Sequence, residues 1–253
     1  MTATLPMQAP RFARPLFLVN AAVAWFAIAL SATLNASGYY LYQLDPTKTT
    51  IIGNTVAGQD TALERLIDWL GYFTILSNIT VAVVMTVLAT RPDLFARRTA
   101  GGAIWRALRL DSVVMIIVTG FVYNLMLWDG PKTGWDAVSN ALLHIIIPIL
   151  TVLVWVIAGP RRILGFSTIW LSLVLPILWA AYTFIRGAAI GAYPYPFFDV
   201  TENGYASVLI FVAEILVFAV VIDLALLGID RLIARITPAP ALVFEEELLT
   251  QEE

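Results

Sequence analysis

The 253-residue chain is 60% hydrophobic and 13% charged, against about 45–50% and about 25% in an average soluble domain. That excludes disorder, a collagen-like repeat and an ordinary soluble enzyme. With no cysteine and one histidine, thiolate catalysis, disulfides and zinc sites built on several Cys or His are excluded, and a metal site would need carboxylates. No cofactor is expected. The net charge is -3, and part of the acid lies in one tail (Glu245, Glu246, Glu247, Glu252, Glu253), so no basic field invites nucleic acid.

In chain order, six stretches are long enough to cross a hydrocarbon core, which takes about 20 apolar residues: Pro15 to Asn35, Trp69 to Thr90, Leu108 to Trp128, Ala137 to Ala158, Phe166 to Ile185 and Ala206 to Gly228. They predict an all-α polytopic membrane protein. Its parts are an N-terminal tail (1–14), a six-helix transmembrane domain (15–230) and an acidic C-terminal tail (231–253). Basic residues are retained on the cytoplasmic side. Arg11 and Arg14 precede the first span; Arg91, Arg97, Arg98, Arg106 and Arg109 join the second to the third; Arg161 and Arg162 lie between the fourth and fifth; Arg231 and Arg235 follow the last. The other side holds Lys48, Arg65 and Lys132, with Arg186 at a helix end, so both termini are expected in the cytoplasm. The alternative of a cleaved leader meets an apolar stretch too long for one.

The segment Ala36 to Asp68 carries turn signals at Asp45-Pro46 and Gly53-Asn54 and a short amphipathic piece around Leu63–Ile67, and is expected to cover the outer face. Between the fifth and sixth spans, Gly191-Ala-Tyr193-Pro-Tyr195-Pro-Phe197-Phe198-Asp199 reads as an irregular interfacial loop, because its prolines cannot donate and its aromatics suit the interface. The tail after Arg235 is expected to be solvated.

Polar side chains inside spans face the bundle interior or a wet cavity. In this topology Ser31, Asn35, Thr74, Ser77, Asn78, Tyr123, Asn124, Asn140, His144, Tyr182, Arg186 and Glu214 fall in the outer half, with Asp111 and Asp223 the main exceptions in the inner half. A polar cavity open to the outer side follows. Thr74, Ser77 and Asn78 share one helix face, as do Asn140 and His144. Thr74 lies roughly 8 Å below Trp69 and His144 roughly 13 Å below Trp135 at the helical rise, which permits contact.

His144 is the obvious general base, since imidazole exchanges protons near neutrality. Equally, it is a neutral histidine tying two helices together, a role contributing roughly 1 kcal/mol. Thr74 becomes a nucleophile only beside such a base; otherwise it packs helices or bonds back to its own. For the oxyanion, Asn78, Ser77 and Tyr182 are the candidates. Arg186 either snorkels to headgroups, binds a carboxylate in a forked geometry, or pairs with Asp199 or Glu214. Glu214 either orients His144 or relays protons in a transporter. Asp111 is expected to be a local ion-pair partner of Arg109 or Arg106 or a helix N-terminal acid, and Asp223 to pair with a basic cytoplasmic residue.

Tyr72-Phe73-Thr74, Asn140-x-x-x-His144-x-x-x-Pro148, and Gly191 with Tyr195-Pro196-Phe197, taken in this order, resemble segments of the androgen-induced, FAR-17a-like membrane proteins. That family contains the androgen-dependent regulator of tissue factor pathway inhibitor. The chain also resembles a bacterial set of six-span proteins, which implies the bacterial cytoplasmic membrane. The resemblance implies an intramembrane threonine hydrolase of fatty acid esters, with Thr74 as nucleophile, His144 as base and a lipid or fatty-acyl substrate; Asn140 and Asn78 are expected to support such a site through hydrogen bonds. The segment between the first two spans is long for the animal family, and cysteine is absent. Two rival classes stay open: a transporter or lipid-binding protein using His144, Glu214 and Arg186, and a structural protein whose acidic tail binds a partner.

Overall fold

The computed structural model describes residues 4, 5, 7–40 and 61–236, and among them the architecture is helical throughout. The helices are α1 (Ala13–Ala36), α2 (Ala62–Leu70), α3 (Phe73–Thr90), α4 (Asp93–Ala96), α5 (Ala100–Val122), α6 (Gly134–Ala141), α7 (Ile147–Ala158), α8 (Phe166–Ser172), α9 (Val174–Ile190) and α10 (Val200–Ile236). A π turn, Tyr123–Leu127, extends α5, and another, Leu142–Ile146, joins α6 to α7. The units Ala13–Ala36, Phe73–Thr90, Ala100–Leu127, Gly134–Ala158, Phe166–Ile190 and Val200–Ile236 are each long and apolar enough to cross a membrane. The chain is a multi-pass helical membrane protein, a bundle of six spans. The predicted spans fall on these six, though several helices run longer. α10 continues to Ile236, past the predicted end of the membrane domain. The turn signals at Asp45 and Gly53 and the acidic tail from 237 lie outside the described residues.

The core lies between α1, α3, α5 and α7, where alanines and β-branched residues such as Ala24, Ala27, Val81, Val84, Val113 and Ile147 let the helices approach closely. α9 and α10 stand outside this core, and α10 meets it mainly along α5. At one end of the bundle Gln8 exchanges backbone hydrogen bonds with Arg161, and Arg162 reaches the carbonyl of Ala234. Both ends of the described chain therefore sit together at this basic end. Six crossings require that. Here Arg161 donates to the carbonyls of Trp155 (2.6 Å) and Val156 (2.5 Å) and to Asp230 (3.4 Å), and Arg109 donates to Gly159 O (2.8 Å). The Trp155 and Val156 carbonyls lie in the last turn of α7, where acceptors run short of backbone donors; Trp155 O also takes the Gly159 N–H at 3.2 Å. Asp111 and Asp223 do not take the partners expected of them. Arg109 and Arg106 are engaged with backbone carbonyls, and Ser172 donates to Asp223 at 3.3 Å.

At the opposite end, α2 is the amphipathic piece expected near Leu63–Ile67. Thr61 and Glu64 form a reciprocal cap that starts it, and Trp69 Nε1 donates to Ser31 Oγ at 2.9 Å, pinning it onto α1. The chain then turns through Gly71 and Tyr72 into α3, which places Thr74 in the first turn of α3.

Candidate active site

Thr74 Oγ1 stands 3.4 Å from His144 Nε2 and 3.4 Å from Tyr195 Oη. Three distant stretches of chain thus converge, and each is held there for a local reason. In the first turn of α3 the backbone N–H groups have no partner within the helix; that of Thr74 donates to Tyr195 Oη at 3.3 Å. The Thr74 carbonyl accepts from Ser77 Oγ (2.9 Å) and Asn78 Nδ2 (2.7 Å), which fixes the turn carrying the hydroxyl.

His144 lies in the π turn ahead of Pro148. Proline has no N–H and cannot bond the carbonyl four residues back, and that carbonyl belongs to His144. Asn124 Nδ2 satisfies it from α5's π extension at 3.3 Å, while Asn78 Nδ2 reaches Leu143 O at 3.4 Å. Gly120 permits the approach: a Cβ there would stand 3.2 Å from Pro148 and 3.3 Å from the His144 carbonyl. The imidazole stacks on Tyr123, ring centroids 3.7 Å apart and 15° from parallel. Its Nδ1 lies 3.2 Å from the Asn140 carbonyl. A carbonyl only accepts, so this contact requires the proton on Nδ1 and leaves the Nε2 lone pair toward Thr74.

Tyr195 arrives from the loop after α9. Gly191 ends α9 in the left-handed region (φ 69°) and donates to Gly187 O at 2.8 Å. The Tyr193 ring then lies on Gly187 so closely that a Cβ would be 2.1 Å from it. Tyr195 packs face to face with Phe197 and edge-on to Tyr72. Burial holds its phenol above the usual tyrosine range, so the group keeps its proton and can donate.

Thr74 and Tyr195 belong to two cavities at once. A polar vestibule of about 440 Å³ includes His144, Asn140, Ser139, Tyr40, Asp136 and Lys132. In it, Lys132 is raised by its hydrogen bond to Asp129, Asp129 is lowered by the same bond, and burial pushes Tyr40 up to about 12. On the other side a narrower apolar slot, about 80 Å³, runs between α5, α9 and α10 past Val118, Val122, Trp179, Phe211 and Ile215. The hydroxyl sits where the two meet.

The remaining predicted site residues are placed elsewhere. Arg186 pairs with Asp68, binding α9 to α2, and neither Asp199 nor Glu214 is its partner. Asp199 instead accepts from the N–H and hydroxyl of Thr201 (2.8 and 2.6 Å), at the start of α10. Tyr182 and Arg186 border a separate small recess with Thr183 and Gly187, and Glu214 is exposed on α10. A carbonyl, not Glu214, orients His144, and Asn140 contributes by its backbone. Ser77 Oγ and Asn78 Nδ2 are spent on the Thr74 carbonyl, and Tyr182 borders the separate recess. Tyr195 Oη is the further hydroxyl beside Thr74 Oγ1, and its signal in the sequence is the Tyr-Pro-Phe segment between two spans. Among the described residues no cluster of three His, Asp or Glu side chains is placed to hold a metal.

Compared with protein-family models, curated proteins and solved structures, the chain matches none.

Proposed function

We propose that the protein is an intramembrane hydrolase of lipid esters, with Thr74 as nucleophile and His144 as general base. The observation that carries this reading is the pair of contacts on one imidazole: Nδ1 on a carbonyl and Nε2 on a hydroxyl. A free threonine hydroxyl is a weak nucleophile and needs an oriented base. Apo catalytic contacts are commonly longer than the 2.6 to 3.2 Å of a tight hydrogen bond, and 3.4 Å is of that kind.

Thr74 Oγ1 attacks the ester carbonyl while its proton passes to His144 Nε2. The oxyanion forms beside the Tyr195 hydroxyl, whose oxygen accepts from the Thr74 N–H and whose proton is free to turn toward the developing charge. Collapse breaks the ester C–O bond, His144 returns the proton to the leaving alkoxide, and the acyl group remains on Thr74. Water from the vestibule, deprotonated by His144, then adds to the acyl carbonyl. Thr74 leaves with the proton and a carboxylic acid is released. The two cavities divide the substrate: the acyl chain takes the apolar slot and the alcohol portion and water take the vestibule.

The excess of basic residues in the loops at one end supports a cytoplasmic basic end and a site on the outer side, and the resemblance supports a bacterial cytoplasmic membrane. Ester hydrolysis by purified protein in detergent tests the reading, with Thr74→Ala and His144→Ala compared. Full activity in both folded variants overturns it. A second reading, a proton-coupled carrier, is favoured by the buried Asp111 and Asp223 on α5 and α10. It requires uptake by proteoliposomes without product formation.

A further inference from the structure

The apolar slot beside Thr74 has a floor, and the floor changes chemistry. Counting away from the site, the deepest slot residues are Val114 and Met115 on α5, Pro176 on α9 and Ala219 on α10. Toward the basic end, Asp111 stands three residues beyond Val114 and four beyond Met115, and Asp223 four beyond Ala219, spacings that keep each on the face of its helix that lines the slot; Ser172, at the end of α8, precedes Pro176 by four residues. All three are buried, at 3%, 1% and 2% exposure. Ser172 donates to Asp223 Oδ2 at 3.3 Å, and Asp111 stands on α5 at the corresponding depth. Asp223 Oδ1 has no hydrogen-bond partner among the described residues. Below the apolar lining lies a layer of carboxyl and hydroxyl groups.

The register of α3 against α5 gives the slot its length. Ser77 Oγ meets Thr119 Oγ1 at 2.8 Å, so Thr74, three residues outward, stands level with Val122. From Val122 to Met115 is roughly 10 Å at the helical rise, and from Phe211 to Ala219 roughly 12 Å. A fully extended acyl chain of roughly eight to ten carbons covers that span at ordinary bond lengths.

We propose that the slot is an acyl-chain ruler: it takes one straight chain of up to about ten carbons, carbonyl at Thr74 and methyl end on Met115 and Ala219, and rejects longer chains at the Asp111–Ser172–Asp223 layer. In naming the chain as the acyl part of an ester, this rests on the hydrolase reading. A chain drawn from lipid gains little from one apolar surround over another. Discrimination therefore comes from the floor. Further methylenes would overpack it and strip polar groups of their contacts. The rate is level up to the limit and then drops.

The test uses the full chain in detergent with p-nitrophenyl esters of straight acids from four to sixteen carbons, and in parallel the thermal stabilisation of the protein by free fatty acids of the same lengths. The expected kcat/KM falls about tenfold or more between ten and fourteen carbons, and stabilisation peaks at eight to ten. Ala219→Phe raises the floor and lowers the ratio of ten-carbon to four-carbon rates by about tenfold or more. Ala219→Leu, a smaller intrusion, moves the ratio in the same direction, and Met115→Ala moves the limit upward by about two carbons. Ratios are read because they are insensitive to loss of folded protein. Esters cleaved with no length limit, or ratios unchanged in both Ala219 variants, overturn the ruler and leave the hydrolase standing. A length optimum in fatty-acid stabilisation with no ester cleaved supports the ruler and overturns the hydrolase. Neither signal overturns both.

Discussion

At the basic end, Arg161 is 5% exposed and spends its donors on two helix-terminal carbonyls and Asp230, while Asn20 and Thr151 bond each other at 3.2 Å in the core between α1 and α7. At the site end, the hydroxyl of Thr74 stands 3.4 Å from Nε2 of His144 and 3.4 Å from the phenol of Tyr195, beside a cavity. Both regions bury polar groups in an apolar bundle, but in the first Arg161 and the Asn20–Thr151 pair are bonded directly to their neighbours, whereas the second leaves room for another molecule among its groups. Satisfied polar groups fix helices; a loosely matched set beside a cavity is free to do chemistry. The comparison sharpens into variants that should damage one property and spare the other.

The largest effect is expected on activity. Thr74→Ala or His144→Ala should lower ester hydrolysis by about 10³-fold or more, as removal of a nucleophile or its base does, with melting in detergent little changed. Combining the two should cost no more than either alone, since they act as one unit. Arg161→Ala should do the reverse. It leaves Asp230, 1% exposed, without its cation, a change that costs about 3–5 kcal/mol when a buried pair loses one member. Thermal unfolding should detect this, while turnover per folded molecule stays near that of the unmodified protein. Loss of turnover with unchanged stability in Arg161→Ala would break the distinction between the ends.

Tyr195→Phe comes next and separates an oxyanion donor from a packing residue. The ring and its stacking on Phe197 remain, and only the hydroxyl is lost. kcat should fall about 100-fold with KM nearly constant, the pattern of a contact made in the transition state. Because burial holds this phenol above the usual tyrosine range, its donor is kept at alkaline pH. The unmodified enzyme should therefore show no descending limb near pH 10 from this group. Its stability contribution has the opposite dependence. A raised pKa means the contribution is full below about 10, the ordinary tyrosine value, and declines as pH climbs toward the folded value.

How far the sequence foretells these two regions depends on the range of the forces involved. Hydropathy and length identify the six spans because lipid forces every backbone group into a helix. His144 stands out because it is the chain's one histidine, while Thr74, one of several threonines in the spans, is singled out by its matching depth and by the resemblance of Tyr72-Phe73-Thr74, since spacing alone does not separate it from a packing residue. Pro148 also announces, four residues ahead of itself, a carbonyl needing an outside donor. That Asn124 would supply it depends on tertiary packing. The partners of charged groups are not legible. Arg186 takes Asp68 rather than Asp199 or Glu214, because α2 folds back over the bundle after a stretch of chain with no helical period. The Asp111–Ser172–Asp223 layer requires three helices in register, and no spacing along one of them reveals it.

The smallest of these effects tests how the site end is held together. Gly187 carries no chemistry, yet a methyl group there would stand 2.1 to 2.5 Å from three atoms of the Tyr193 ring. Gly187→Ala must therefore displace that ring. Tyr193 precedes Tyr195 by two residues, in a loop that Gly191 starts and Asp199 ends, so the displacement passes to the phenol. The helix itself should gain about 0.5–1 kcal/mol from alanine, and the displaced packing should cost about 1–3 kcal/mol. Activity should fall about tenfold, short of the loss in Tyr195→Phe, because the hydroxyl is misplaced rather than removed. In the double variant Gly187→Ala, Tyr195→Phe the glycine effect on kcat should vanish, since no hydroxyl remains to misplace. If the two effects multiply instead, the loop acts on the site by some route other than Tyr195, and the oxyanion role assigned to that residue loses its support.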